Sequence, residues 1–163
     1  GQLNKETYQN FLNQIDKYIK EMSSDPLVVV FTSGGGSAYY GVALYELLRI
    51  LPFPIVTIAL GFVDSAAILP FTAGNKRYTT HETTFTFHQP SQSTPDRVVL
   101  NESVQSIEDL KNYFVKYSSI ISERTGNKIS VTQVTELQNF PKTLSAQETL
   151  TAGIVHEIIS YHL

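Results

Sequence analysis

A chain of 163 residues with 42% hydrophobic side chains can bury one substantial core, and its 17% of Asp, Glu, Lys and Arg is sparse for a freely solvated monomer. The formal charge is -3, from 12 basic and 15 acidic residues with no Lys/Arg stripe, which argues against nucleic-acid binding. Cysteine is absent, excluding disulfides and thiolate metal sites, while the apolar runs are too short for a bilayer and no secretory pattern opens the chain, so a soluble, cytoplasmic protein is expected.

Residues 3–23 place Leu3, Tyr8, Phe11, Leu12, Ile15, Ile19 and Met22 at helical spacing, which predicts an amphipathic helix covering a sheet. Asp25-Pro26 breaks it. The run Leu27-Val28-Val29-Val30-Phe31 then reads as a strand buried on both faces, followed by a turn over 32–37 and a helix over 38–50. Pro52 and Pro54 end that helix, residues 55–60 form a second buried strand, and Gly61 leads into Ser65 and a short apolar helix up to Gly74. Strands alternating with helices imply parallel βαβ units, with both glycine-bearing loops at the C-terminal strand ends where ligands bind. Short strands are expected at 76–79 and 83–87, and Gln89-Pro90 opens a polar loop. A long helix is predicted over 101–124, with Val104, Ile107, Leu110, Phe114, Tyr117, Ile120 and Ile121 on one side. Segment 130–138 is helical, Phe140-Pro141 is a break, Ser145 caps a helix through Thr151, and Gly153-Ile154-Val155 leads to a last strand.

Three features carry chemistry. The glycines 34–36 let backbone N–H groups approach an anion, although such turns are common after strands and this one lacks the lysine of a phosphate loop. Ser65 stands at a strand-to-helix junction, where a nucleophile and an oxyanion hole are easily built and where a plain helix cap is the ordinary alternative. His88 ends a strand and has the near-neutral imidazole that a serine hydroxyl needs as base, though a lone histidine is more often structural. His81, His156 and His162 have no carboxylate spacing suggestive of a metal site and read as surface or packing residues; no cofactor is implied.

Segments in order along nearly the whole chain resemble the proteolytic subunit of the Clp protease family. Ser33-Gly34-Gly35-Gly36-Ser37-Ala38-Tyr39-Tyr40-Gly41 is similar to the family's SPGG-V-x-x-G, with Gly34 in place of proline, and Gly61 to Ala67 is similar to GQAASMG with no gap between them. Phe87-His88-Gln89-Pro90 resembles IHQP, while Leu144-Ser145-Ala146-Gln147-Glu148 and Gly153-Ile154-Val155 resemble LSAPE and GLV. The resemblance implies an α/β, crotonase-like fold in one domain over 1–163, with a protruding handle helix in a region of about 95–130. It implies Ser65 as nucleophile, His88 as base, and the backbone N–H groups of Gly36 and Ala66 as oxyanion hole. It further implies heptameric rings, possibly stacked, that enclose peptide or unfolded-protein substrates, with an AAA+ ATPase or a paralogous subunit as partner.

One position departs from the pattern. The family's triad aspartate lies three residues before LSA, where this chain has Pro141, which cannot orient an imidazole. Glu136 and Asn139 are the nearby substitutes, and Asp64 is a third, disfavoured because adjacent side chains point apart. Loss of the acid forfeits tautomer control, worth about four orders of magnitude in turnover in other serine proteases. Two rival readings follow: a catalytically impaired subunit forming walls of a mixed ring, and a crotonase-like acyl-thioester enzyme, against which the His-Gln-Pro segment and the serine argue.

Overall fold

The computed structural model describes residues 1–20, 25–91 and 100–160. Met22, His162 and most of the polar loop after Pro90 lie outside the described residues. Helix α1 (Lys5–Lys20) is followed by β1 (Leu27–Ser33), α2 (Ala38–Ile50) and β2 (Ile55–Val63). A single 3₁₀ turn (Ser65–Ala67) leads into α3 (Ile68–Phe71), then β3 (Lys76–Thr80) and β4 (Thr84–Phe87). The long α4 (Leu100–Arg124), α5 (Val131–Asn139), β5 (Lys142–Ser145), α6 (Ala146–Thr151) and β6 (Glu157–Ile159) complete the chain.

Strands β1, β2, β3 and β6 pair in parallel in that spatial order, as crossovers through helices require. Strand β2 is shared: Val56 to Ala59 pair with β3, while Phe62, near its end, pairs with Thr84 of β4. Strand β4 in turn pairs antiparallel with β5, from Thr84 opposite Ser145 to Phe87 opposite Lys142. The sheet thus forks just before Ser65. The Ser65 turn follows β2, and the branch through β4 ends just before His88.

Two expectations need correction. Strand β1 is not buried on both faces: Val28 and Val30 are 54% and 56% exposed, alternating with the inward Val29 and Phe31, because among the described residues β1 pairs only with β2 and lies at the sheet's edge. Strand β5 (Lys142–Ser145) lies where the sequence predicted no strand, between the Phe140-Pro141 break and the helix capped by Ser145, whereas the last strand, Glu157–Ile159, follows the buried Gly153-Ile154-Val155 turn as expected.

Phe31, Phe71 and Phe85 meet edge-to-face in series, with centroids 5.8 and 5.2 Å apart, joining β1, α3 and β4 in one core. Helices α5 and α6 start on complete capping boxes, Ser130 with Gln133 and Ser145 with Glu148, which fixes where each begins. Between them lie the Phe140-Pro141 connection and β5.

Candidate active site

Ser65 is a non-glycine residue held at φ +55°, in the left-handed region, immediately after β2. Such a conformation costs on the order of 1–3 kcal/mol and persists only where surrounding structure imposes it. Three contacts impose it here. The Tyr117 hydroxyl, buried on α4, donates to the Ser65 carbonyl at 3.2 Å. The Asp64 N–H donates to the Ser33 carbonyl at 2.8 Å, tying the turn to the end of β1. The Asp64 carboxylate accepts the Thr86 N–H at 2.8 Å, tying it to β4 two residues before His88. Asp64 is therefore a strut between the serine turn and the histidine strand, and its carboxylate is directed to Thr86 rather than to the imidazole.

The glycine loop presses against this turn. A Cβ on Gly35 would lie 2.7 Å from the Ser65 Cβ and 2.9 Å from the Asp64 carbonyl, and the residue has φ +90°, so both space and conformation demand glycine. Gly36, at φ +131°, bridges in parallel to Leu3: the Leu3 N–H donates to the Gly35 carbonyl at 2.7 Å and the Ser37 N–H to the Leu3 carbonyl at 2.8 Å. That pattern leaves the Gly36 N–H unused. Among the described residues neither it nor the Ala66 N–H has a hydrogen-bond partner.

A cavity of about 820 Å³ collects these groups: Ser65, Ala66, Gly36 and His88 all line it, together with Tyr113 and Gln138. Ser65 and His88 are half-buried there, and among the described residues no hydrogen bond joins them directly. The His88 Nδ1 lies 2.7 Å from the carbonyl oxygen of Gln89. The Gln89 side chain donates from Nε2 to Asn139 Oδ1 at 2.9 Å, so Asn139 reaches the histidine's neighbour rather than its ring. Glu136 is exposed and lines a different groove, between α5, β5 and α6, together with Phe140. Pro141 is exposed and follows α5 directly before β5.

The other described histidines serve the frame. His156 accepts the Arg77 N–H on Nδ1 at 3.2 Å, and burial first, then the charge of Arg77, lowers its pKa from 6.5 to about 4, which keeps the acceptor nitrogen bare. His81 reaches Ser160 at 3.4 Å. Among the described residues no group of His, Asp and Glu is arranged to hold a metal ion.

Sequence reasoning missed three contributors. Tyr117 and Tyr113 stand one helical turn apart on α4 with ring centroids 5.8 Å apart, and both line the cavity. Burial pushes both phenols well up, and the Tyr113 hydroxyl has no partner among the described residues, so both stay protonated. Gln138, buried on α5, donates to Ser118 Oγ at 2.8 Å. Aromatics and an amide at helical spacing are what a core also looks like, so their pattern held no signal of a site.

The forked, mostly parallel α/β sheet has the ClpP/crotonase-like fold. The chain belongs to the Clp protease family, whose profile, described as Clp protease, matches residues 1–162. It is 27% identical over 161 residues to the ATP-dependent Clp protease proteolytic subunit 2 of Treponema denticola, a match covering 97% of this chain and 78% of that protein. It is 27% identical over 144 residues to the ATP-dependent Clp protease proteolytic subunit 3 of Rhodococcus jostii, covering 85% of this chain and 69% of that protein. Among solved structures it matches a ClpP1 mutant from Listeria monocytogenes with a TM-score of 0.86 and 24% identity, over 99% of this chain and 88% of that one, a likeness of fold. No helix among the described residues is long and apolar enough to cross a membrane.

Proposed function

We propose that this chain is a serine-type peptidase subunit that cleaves peptides or unfolded protein within an oligomeric chamber. The observation that carries the reading is the strained Ser65, set at one cavity with His88 and two unpartnered backbone N–H groups. Strain of this kind is retained where it has a use. In the reaction, Ser65 Oγ attacks the scissile carbonyl carbon while its proton passes to His88 Nε2. The carbonyl oxygen becomes an oxyanion between the N–H groups of Gly36 and Ala66, donors that need no reorganisation because nothing else uses them. His88 then returns the proton to the leaving amine, and water, deprotonated by the same imidazole, releases the acyl group.

The chain would act as one ClpP-like domain, with α4 as the handle through which rings stack, and a Clp-type AAA+ ATPase or a paralogous subunit as partner. Support comes from the similar proteins, which are ATP-dependent Clp protease proteolytic subunits. A fluorophosphonate tests the site, since it traps a hydroxyl beside a base and an oxyanion hole. Ser65 should be the labelled residue by mass spectrometry, with labelling lost in Ser65→Ala and strongly slowed in His88→Ala. Labelling that is absent from the assembled parent, or indifferent to His88, overturns the reading.

One observation favours a second reading, a non-catalytic ring subunit: Pro141 replaces the carboxylate that the family places beside its histidine. On that reading the probe leaves Ser65 untouched while the chain still co-assembles with an active paralogue.

A further inference from the structure

We infer that the backbone carbonyl of Gln89, clamped by Asn139, sets the tautomer of His88 in place of a carboxylate. The inference rests on the peptidase reading for its catalytic consequence but not for its geometry. A carbonyl oxygen only accepts, so the 2.7 Å contact between it and His88 Nδ1 requires the hydrogen to sit on Nδ1. The lone pair is then on Nε2, the nitrogen that must take the serine proton, and among the described residues Nε2 has no other partner. An isolated imidazole has no such fixed choice.

Two constraints aim that carbonyl. Gln89 precedes Pro90, and the proline ring confines the preceding residue to extended backbone, which restricts the rotation that would swing the carbonyl away. The Gln89 side chain is anchored at its other end, Nε2 to Asn139 Oδ1 at 2.9 Å, and Asn139 is the last residue of α5. Asn139 is thus a positioning residue that acts on the imidazole through Gln89. The alternatives do not meet the ring: Glu136 lines a separate groove, Asp64 is engaged by Thr86, and Pro141 has no acceptor side chain. A neutral carbonyl fixes the tautomer as a carboxylate does, yet stabilises the imidazolium less, since its acceptor is not ionised.

The test uses the full chain, labelled with ¹⁵N-histidine and sedimented for solid-state NMR, with the His88 signals identified by their loss in His88→Gln. The neutral His88 ring should show a protonated Nδ1 and a bare Nε2. In Asn139→Ala the opposite tautomer should appear, and the maximal rate of fluorophosphonate inactivation should fall by roughly two- to tenfold, the worth of one hydrogen bond, with the half-saturating probe concentration unchanged. Asn139→Asp keeps an oxygen acceptor for Gln89 and should behave as the parent. A parent ring protonated on Nε2, or an Asn139→Ala variant unchanged in both tautomer and rate, overturns the inference. If Ser65 does not label at all while the ring is Nδ1-protonated and Asn139-dependent, the peptidase reading fails and the tautomer assignment stands.

Discussion

The β4–β5 ladder ends one step short of His88 and Pro141. The β4–β5 register pairs Phe87 with Lys142, so the next antiparallel pair would be His88 and Pro141, and directly opposed residues have Cβ atoms about 4.5–5.5 Å apart. A short carboxylate at 141 would therefore lie within reach of the imidazole. Pro141→Asp should raise the hydrolysis of a short fluorogenic peptide by at least about tenfold, a modest part of the roughly 10⁴ that the triad carboxylate supplies elsewhere. Unchanged or lower turnover in a folded variant would show that the loop diverges from this register. Asp64 makes a complementary case. Its carboxylate is the acceptor that holds the serine turn to the histidine strand, so Asp64→Ala should cost about 1.5–3 kcal/mol in urea unfolding, whereas Asp64→Asn keeps an oxygen acceptor and should cost less. Retention of parental stability in Asp64→Ala would remove the strut. Ser65, His88 and the glycines could be singled out as candidates in the sequence because the chemistry of each side chain, or of its absence, is visible at its own position. The Gln89 carbonyl could not, since a backbone acceptor looks the same at every residue. Asp64 was visible as a carboxylate, but its partner is a backbone N–H twenty-two positions away.

Helices α1, α2, α4, α5 and α6 could be read from apolar periodicity, breaks and caps, because those signals are local. The strands were harder. Val28-Val29-Val30 is equally suited to a central or an edge strand, and only pairing decides which. Lys142-Thr143-Leu144-Ser145 forms β5 because β4 lies beside it and the Thr143 and Thr86 hydroxyls meet at 3.0 Å, not because four such residues prefer to be extended. Arg77 shows how far a long-range partner can hide. It is 3% exposed on β3, and its guanidinium donates to the carbonyls of Gly74, Arg124, Gly153 and Ile154, which fastens α4 and the buried turn before β6 to the sheet. Burial first, then the nearby Arg124, lowers its pKa to about 10, which still leaves it charged at neutral pH. Arg77→Met should destabilise the fold by about 3 kcal/mol, because several buried carbonyls lose their donor, and Arg77→Lys should recover little since one ammonium cannot replace the planar fork. Chemical denaturation measures both, and a methionine variant as stable as the parent would show that water satisfies those carbonyls.

The distribution of apolar side chains left outside the core bears on assembly. On α4, Val104 and Ile107 are 56% and 54% exposed, and their three-residue spacing puts them on one face of a 25-residue helix about 37 Å long. Phe62 on β2 is also exposed, and so are the outward valines of β1, so apolar surface appears on both the sheet and the long helix of an 18.2 kDa chain with few charges. Apolar surface shared between separate faces is what repeated contacts around and between rings would cover. Sedimentation at micromolar concentration should therefore give a multiple of the protomer mass, with little monomer. The double variant Val104→Lys, Ile107→Lys places two cations on the α4 face, and it should shift the distribution to smaller species. Because both side chains are already exposed, the protomer's own unfolding should change by no more than about 0.5 kcal/mol each, so lost assembly can be told from lost folding. A folded parent that sediments as a monomer would sink the chamber, and Ser65 would then have to act, if at all, in a cavity open to any peptide in solution.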